Sequence, residues 1–192
     1  MCSSDLLNER IDSCHFEYPT STHAIRSCSP GNCYIHNTDE QAYTGKRSLK
    51  LTAVTSSGEE SFFYKQTYYS SEDFDDSRYD PFFAPLVYPG QTVHLSVMPI
   101  PGEEMTTTAQ IYAKNGVTGE IFRGEKVNGD GVWHALSLKI PGKQTGYISE
   151  VGIILCGVAP GFATGNVSAY IDYLSFDGSP DYHLNFEGMQ LD

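Results

Sequence analysis

Hydrophobic and polar residues alternate with a period of two along most of the chain. In the segment 48–54, Leu49, Leu51 and Ala53 are separated by polar residues, and the segment 132–140 shows the same alternation. A period of two places apolar side chains on one face of a strand and polar side chains on the other. The pattern therefore predicts strands with one face in a core and the other in water.

Turn-forming Gly, Pro, Asn and Asp separate these segments, and no capping box precedes a helical pattern. The chain is predicted to be all-β, a two-sheet antiparallel β-sandwich of jelly-roll type. The long loop 70–90 is the exception, and loops of this length tend to be functional or mobile. The predicted strands are 15–18, 33–37, 48–55, 61–69, 91–98, 107–114, 119–126, 132–140, 147–156 and 168–176.

Composition narrows the classes of partner. The 192 residues suit one sandwich domain, and 12 basic against 24 acidic residues give a net charge of -12. Such a charge disfavours nucleic acid and anionic membranes, because phosphate groups are bound by clustered Lys and Arg. No apolar run approaches the ~18 residues of a membrane span. We expect neither nucleic acid nor a membrane as a partner.

Five cysteines do not make a disulfide framework. Cys28 and Cys33 flank a turn-forming spacer, so they either close a small disulfide loop or stay reduced. Cys156 lies in an apolar run and is predicted to be buried. A zinc site is disfavoured, because no second Cys/His pair lies at a matching distance.

Each end of the strand pattern carries a carboxylate where a buried strand would not favour one. Glu17 follows His15-Phe16, and Asp172 lies inside the alternating segment 169–176. This arrangement, with strands throughout, resembles the jelly-roll carbohydrate-binding modules of the galactose-binding-like group, over residues 14–178. In those modules the first and last strands lie side by side and often share a calcium ion.

The resemblance implies a structural Ca²⁺ held by Glu17, Asp172 and backbone carbonyls of the loop that ends at Lys46. Two nearby carboxylates repel each other unless a cation intervenes, and calcium takes six to eight oxygen ligands. The alternative is that Glu17 pairs with Lys46 or Arg47 and that Asp172 caps a turn.

Candidate ligand-binding residues lie on two strands. In 108–114, Gln110, Tyr112 and Lys114 are predicted to point away from the core, and Tyr64 does so in 62–69. If both strands share a sheet, these four residues line a concave face, where aromatic rings cover a sugar ring and polar groups bind its hydroxyls. The alternative is that the tyrosines only pack on the sheet surface.

The loop 70–90 holds the densest charge, and Arg78 and Tyr79 are candidates for a ligand-facing lip. Clustered carboxylates also suit a calcium loop, although the EF-hand order is absent. A solvated acidic loop is the plain alternative. The run 73–81 also resembles modules C-terminal to ADP-ribosylglycohydrolase-like enzymes, whose catalytic carboxylate motifs have no match here.

These features favour a non-catalytic carbohydrate-binding module of a larger multidomain protein, extracellular or at a cell surface. Its partners would be a glycan and neighbouring domains of the same chain. Residues 1–13 are interpreted as a flexible segment, 14–178 as the module, and 179–192 as a linker and possible start of a following module. The alternatives are an accessory sandwich that packs on a catalytic domain, and a jelly-roll polysaccharide lyase or glycoside hydrolase.

Overall fold

The computed structural model describes residues 25–28, 32–67, 87–143, 146–161, 163–176 and 182–184. These residues form eleven strands and contain no helix, and hence no helical segment able to cross a membrane. The strands are β1 (Ile25–Cys28), β2 (Cys33–Thr38), β3 (Ser48–Ser56), β4 (Glu60–Gln66), β5 (Thr92–Pro99), β6 (Thr106–Asn115), β7 (Ile121–Asn128), β8 (His134–Lys139), β9 (Ile148–Val158), β10 (Thr164–Phe176) and β11 (Tyr182–Leu184).

Two antiparallel sheets make up the sandwich. Sheet A has the order β1-β4-β9-β6-β7, and sheet B has the order β2-β3-β10-β5-β8 with β11 beside β10. Consecutive described strands lie in different sheets except for the pairs β2–β3, β6–β7 and β10–β11. The prediction of an all-β, two-sheet antiparallel jelly roll is confirmed.

Alternating side chains fill the space between the sheets. Leu49, Leu51 and Ala53 of sheet B are fully buried, as are Ile111 and Ile153 of sheet A. Burying one such Leu or Ile side chain contributes about 1.5–3 kcal/mol. The period-two pattern thus identified the core face of β3 and β6 correctly.

The structure adds two short strands that the alternation does not reveal. Ile25–Cys28 forms β1 at the edge of sheet A, and Tyr182–Leu184, placed in the predicted linker, pairs with residues 174–176 of β10. Each is too short to show a period. The predicted strand 15–18 lies outside the described residues.

Among the described side chains, Cys33 and Cys156 are free thiols. Cys33 is half-buried and carries a free thiol, as in the alternative without a disulfide loop. Cys156 is buried as predicted, and burial raises the pKa of its thiol.

Candidate functional site

The face of sheet A that points away from the core, here called the sheet-A face, carries four of the predicted ligand residues. Tyr64 of β4 and Tyr112 of β6 both pair in register with Gly152 of β9, so their side chains point to the same side. Arg26 and Arg123 extend this row to the two edges of the sheet. The two candidate strands share a sheet, with β9 between them, which is the condition on which the hypothesis of a ligand-binding face depended.

Gly152 leaves the centre of that row without a side chain. A Cβ atom there would lie 2.0 Å from the backbone oxygen of Phe63 and 2.7 Å from the Cα of Tyr64. Both distances are too short for any side chain, so the position requires glycine. The absence of a side chain at Gly152 therefore leaves room above β9 for the ring of a neighbouring residue.

Tyr112 leans across β9 and is fully buried. Its hydroxyl donates a hydrogen bond to Glu150 Oε2 at 3.1 Å, and its ring meets Phe62 of β4 edge-on, with centroids 5.3 Å apart. The prediction that Tyr112 presents an exposed ring is wrong, because these two contacts hold the ring against the sheet. Tyr112 and Phe62 together form an aromatic floor.

Polar groups surround this floor. Lys114 Nζ donates to Glu150 Oε1 at 2.9 Å, so Glu150 receives both Lys114 and the Tyr112 hydroxyl. Gln110 Nε2 donates to the carbonyl of Gly124 at 2.9 Å. Gln110 and Lys114 thus reach the sheet-A face as predicted, and each is oriented by a neighbour.

A charged pair crosses the same face. The guanidinium of Arg123 on β7 binds both carboxylate oxygens of Glu60 on β4, at 2.7 and 2.9 Å, and Nη1 donates to Gln110 Oε1 at 3.3 Å. The bond to Glu60 raises the pKa of Arg123. Such exposed pairs add little stability, so the importance of this pair is geometric.

Sequence reasoning missed Glu150, Phe62, Arg123 and Glu60 as members of the site. Alternation along the segment 147–156 places Glu150 on the face opposite to that of the buried Val151 and Ile153. This pattern could have identified Glu150 as a residue of the outward face. Arg123 offered no such signal, because a register shift in β7 changes the facing of its residues. The candidates Arg78 and Tyr79 lie outside the described residues.

The predicted calcium ligand Asp172 is fully buried on β10. Its Oδ2 accepts the backbone N–H groups of Tyr43 and Thr44, each at 2.9 Å, and Oδ1 accepts the N–H of Tyr173 at 2.7 Å. The structure thus brings Asp172 against the loop that ends at Lys46, whose side chain is exposed. Backbone N–H donors make this contact.

The predicted calcium site can be compared with the described residues only in part. Within these ranges there is no group of three or more His, Cys, Asp or Glu side chains that would hold a metal. Three N–H donors bond to the Asp172 carboxylate, and a calcium ion would need six to eight oxygen ligands in all. The second predicted carboxylate, Glu17, lies outside the described residues.

Comparison with known proteins identifies the fold. No protein-family model and no curated protein matches the sequence. A carbohydrate-binding module of the β-sandwich superfamily, studied for its promiscuous specificity, superposes with a TM-score of 0.57 at 15% identity, over 85% of this chain and 61% of that one. The jelly-roll resemblance is therefore confirmed at the level of the fold.

Two further structures come from the Clostridium thermocellum xylanase Xyn10B. The N-terminal CBM22-1–GH10 modules, complexed with xylohexaose, give a TM-score of 0.51 at 12% identity, over 84% of this chain and 27% of that one. The C-terminal family 22 module gives 0.50 at 14% identity, over 88% and 96%. The chain thus spans less than two thirds of the first two structures and nearly all of the third. The resemblance of 73–81 to modules of ADP-ribosylglycohydrolase-like enzymes stays a prediction.

Proposed function

We propose that the protein is a non-catalytic carbohydrate-binding module and that glycan binds on the sheet-A face. The observation that carries this proposal is the row in which Tyr64 and Tyr112 flank Gly152, with Gln110 and Lys114 on the same face. Sugar sites combine aromatic surface, which covers the apolar side of a pyranose, with a few oriented polar groups.

The residues of the sheet-A face would have different roles in binding. Tyr64 is half-buried and offers the ring for stacking, while the half-buried Phe62 and the fully buried Tyr112 form a rigid floor. Gln110, Lys114 and Glu150 direct donors and acceptors to sugar hydroxyls. Because the polar side chains are already held by neighbours, binding costs less conformational entropy than ordering free side chains would.

Charge and dimensions indicate the class of glycan. The face pairs Lys114 with Glu150 and Arg123 with Glu60, so its charges balance locally and suit a neutral chain. Five strands at a spacing of 4.7–4.9 Å make the row roughly 19 Å wide. A polysaccharide that crosses the strands matches this width better than a single sugar.

One similar structure supports the proposal that the module is part of a larger protein. One of the matched structures joins a CBM22 module to a GH10 module in a single xylanase. We place the present module likewise beside other domains of a larger protein, outside the cell or at its surface. The structural calcium ion expected from Glu17 and Asp172 belongs to the same proposal.

Affinity electrophoresis through gels that contain soluble neutral polysaccharides tests the proposal. We expect retardation by at least one polysaccharide and its loss in Tyr64→Ala. Tyr34→Ala is the matched control, because Tyr34 is 62% exposed and lies on β2 of the other sheet.

Two outcomes would contradict the proposal. If Tyr34→Ala loses retardation and Tyr64→Ala keeps it, the glycan binds on sheet B. If no polysaccharide retards the protein, and it co-purifies with the adjacent domain instead, the accessory packing domain is the better description.

A further inference from the structure

The ion pair between Arg123 and Glu60 spans most of the width of the sheet-A face. Arg123 lies on β7 and Glu60 on β4, and both β9 and β6 lie between those two strands in the sheet. At a spacing of 4.7–4.9 Å, the backbones of β4 and β7 are roughly 14 Å apart. Because both side chains are partly exposed to solvent, they meet over the outer side of β6 and β9 and not within the core. This contact is called the Arg123–Glu60 bridge below.

The bridge runs diagonally across the face. Arg123 is level with Tyr112, because these two residues pair in register, whereas Glu60 is level with Cys156 of β9. Gln110 lies between the two levels, and its Oε1 accepts a hydrogen bond from Arg123 Nη1 at 3.3 Å. The bridge therefore begins at the β7 end of the row that contains both tyrosines and moves away from that row toward β4.

Apolar side chains of β9 lie beneath the bridge. Ile154 and Cys156 alternate along β9 with the core residues Ile153 and Leu155, so their side chains point to the outer side of the sheet. They are nevertheless only 2% and 8% exposed. Burial is the main cause of the raised pKa of the Cys156 thiol, and the charge of Glu60 raises this pKa further. Side chains above the sheet thus cover this part of β9, and Glu60 lies close to it.

The bridge is a contact between side chains that the fold itself does not require. Arg123 and Glu60 are joined by two N–H···O bonds of 2.7 and 2.9 Å, a bidentate geometry that favours the closed pair. Their side chains are 36% and 37% exposed, and exposed pairs contribute at most about 1 kcal/mol to stability. The bridge therefore restricts access to the face, and variants that break it should still fold.

We infer that the Arg123–Glu60 bridge limits the width of the glycan-binding surface and thereby selects unbranched chains, an inference that rests on the proposed binding of glycan along the row of Tyr64 and Tyr112. A linear chain on that row lies beside the bridge. A sugar branch that points toward Ile154 meets the bridge, and making room for the branch would break charge-assisted hydrogen bonds. The bridge thus acts by excluding competing ligands.

Affinity electrophoresis with branched and unbranched forms of three neutral backbones tests this selection. Arabinoxylan and galactomannan are used before and after enzymatic removal of their side sugars, and xyloglucan is compared with mixed-linkage β-glucan. We expect the wild type to bind the unbranched form of its preferred backbone about tenfold more tightly than the branched form. In Arg123→Glu, where two carboxylates repel each other, this preference should disappear.

A charge-exchanged variant and a matched control distinguish the bridge from its individual residues. Glu60→Arg/Arg123→Glu rebuilds the pair from the same two side chains in exchanged positions, so the preference should return. Glu40→Arg is the control, because it reverses one charge in the ion pair that Glu40 forms with Lys50 of sheet B. The control should leave the preference unchanged.

The thiol of Cys156 gives a readout that does not depend on any glycan. Its modification by N-ethylmaleimide, located by mass spectrometry, should be about fivefold faster in Arg123→Glu than in the wild type, because the open bridge uncovers β9. A second carboxylate near the thiol disfavours the reactive thiolate, so the change in charge alone would slow the reaction. The charge-exchanged variant should react at nearly the rate of the wild type.

Three results would overturn the inference. If the wild type binds branched and unbranched forms equally, or if Arg123→Glu keeps the preference, the bridge does not select the chain, while glycan binding on the sheet-A face stands. If Cys156 reacts equally fast in the wild type and in Arg123→Glu, the bridge does not cover β9. If no polysaccharide retards the wild type or any variant, the proposed function fails and this inference fails with it.

Discussion

The carboxylate of Asp172 accepts the backbone N–H of Thr44 at 2.9 Å, although 128 residues separate the two. The same oxygen accepts the N–H of Tyr43, and the other accepts that of Tyr173. Tyr173 has a positive φ of 53°, at a point where the pairing of β10 with β5 shifts register. One buried side chain thus fixes both the β2–β3 loop and this irregular turn of β10.

Asp172→Asn should destabilise the fold by about 3 kcal/mol. The substitution removes the negative charge, and it turns one of the two oxygens that accept N–H groups into an NH₂ group, which is itself a donor. Urea unfolding at neutral pH measures the effect. Asp130→Asn is the control, because Asp130 is exposed and bonds only near its own turn, to Val132 N and His134. A loss no larger in Asp172→Asn than in the control would contradict the role assigned to this carboxylate.

Calcium should raise the midpoint of thermal unfolding after the protein has been treated with a chelator, because a ligand that binds only the folded state stabilises it by mass action. The increase should disappear in Glu17→Gln, which removes the second predicted carboxylate. Magnesium at the same concentration serves as the control, since it tolerates the expected geometry poorly. An unchanged midpoint would contradict the proposed calcium ion, and Asp172 would then act through its protein contacts, which include the three N–H bonds.

Alternation predicted most strands of the fold, because one face of each strand is buried and the signal repeats every second residue. It identified the inward faces of β3 and β6 by Leu51 and Ile111, and it placed Gln110 and Lys114 on the outward face. It could not find β1 or β11, since a strand of three or four residues has too few positions for a period to show.

The exposure of Tyr112 could not be predicted, because it depends on neighbours that register brings together across strands. Its partners Phe62 and Glu150 lie on β4 and β9, and no local sequence pattern predicts either contact.

Glu40 should make the free energy of unfolding depend on pH in the acidic range. Its carboxylate accepts hydrogen bonds from Lys50 Nζ at 2.7 Å and from the Tyr170 hydroxyl, and these lower the pKa of Glu40, with the Lys50 bond as the larger cause. A lowered pKa in the folded state gives stability that is present above the unfolded-state pKa and is lost as pH falls through the folded-state value.

The wild type should therefore exceed Glu40→Gln in unfolding free energy at neutral pH, and the difference should shrink as the pH falls below the ordinary glutamate range. Urea unfolding at a series of pH values measures this. Glu125→Gln, at an exposed position without a bond to any described residue, controls for the lost charge. A difference that grows on acidification would have the wrong sign for this mechanism.

Gly152→Ala should destabilise the protein by about 3 kcal/mol, because the new methyl group would overlap the backbone of Phe63 and force β4 and β9 apart. The shifted strands should also weaken retardation by polysaccharide. Gly142→Ala is a suitable control, since a Cβ atom there meets no heavy atom within 4 Å. Equal stability of the two variants would show that the face tolerates a side chain at its centre.

Thr107→Val should stabilise the protein in the absence of ligand, by about 1–2 kcal/mol, because it removes a buried hydroxyl without a partner while keeping the shape of the side chain. Thr67→Val is the matched control. The Thr67 side chain is also fully buried, but its hydroxyl donates to Ile148 O at 3.0 Å, so its loss should destabilise by about 1 kcal/mol. Urea unfolding of both variants, with equal m-values, gives the comparison. If Thr107→Val is destabilised like Thr67→Val, the Thr107 hydroxyl is already satisfied in the free protein.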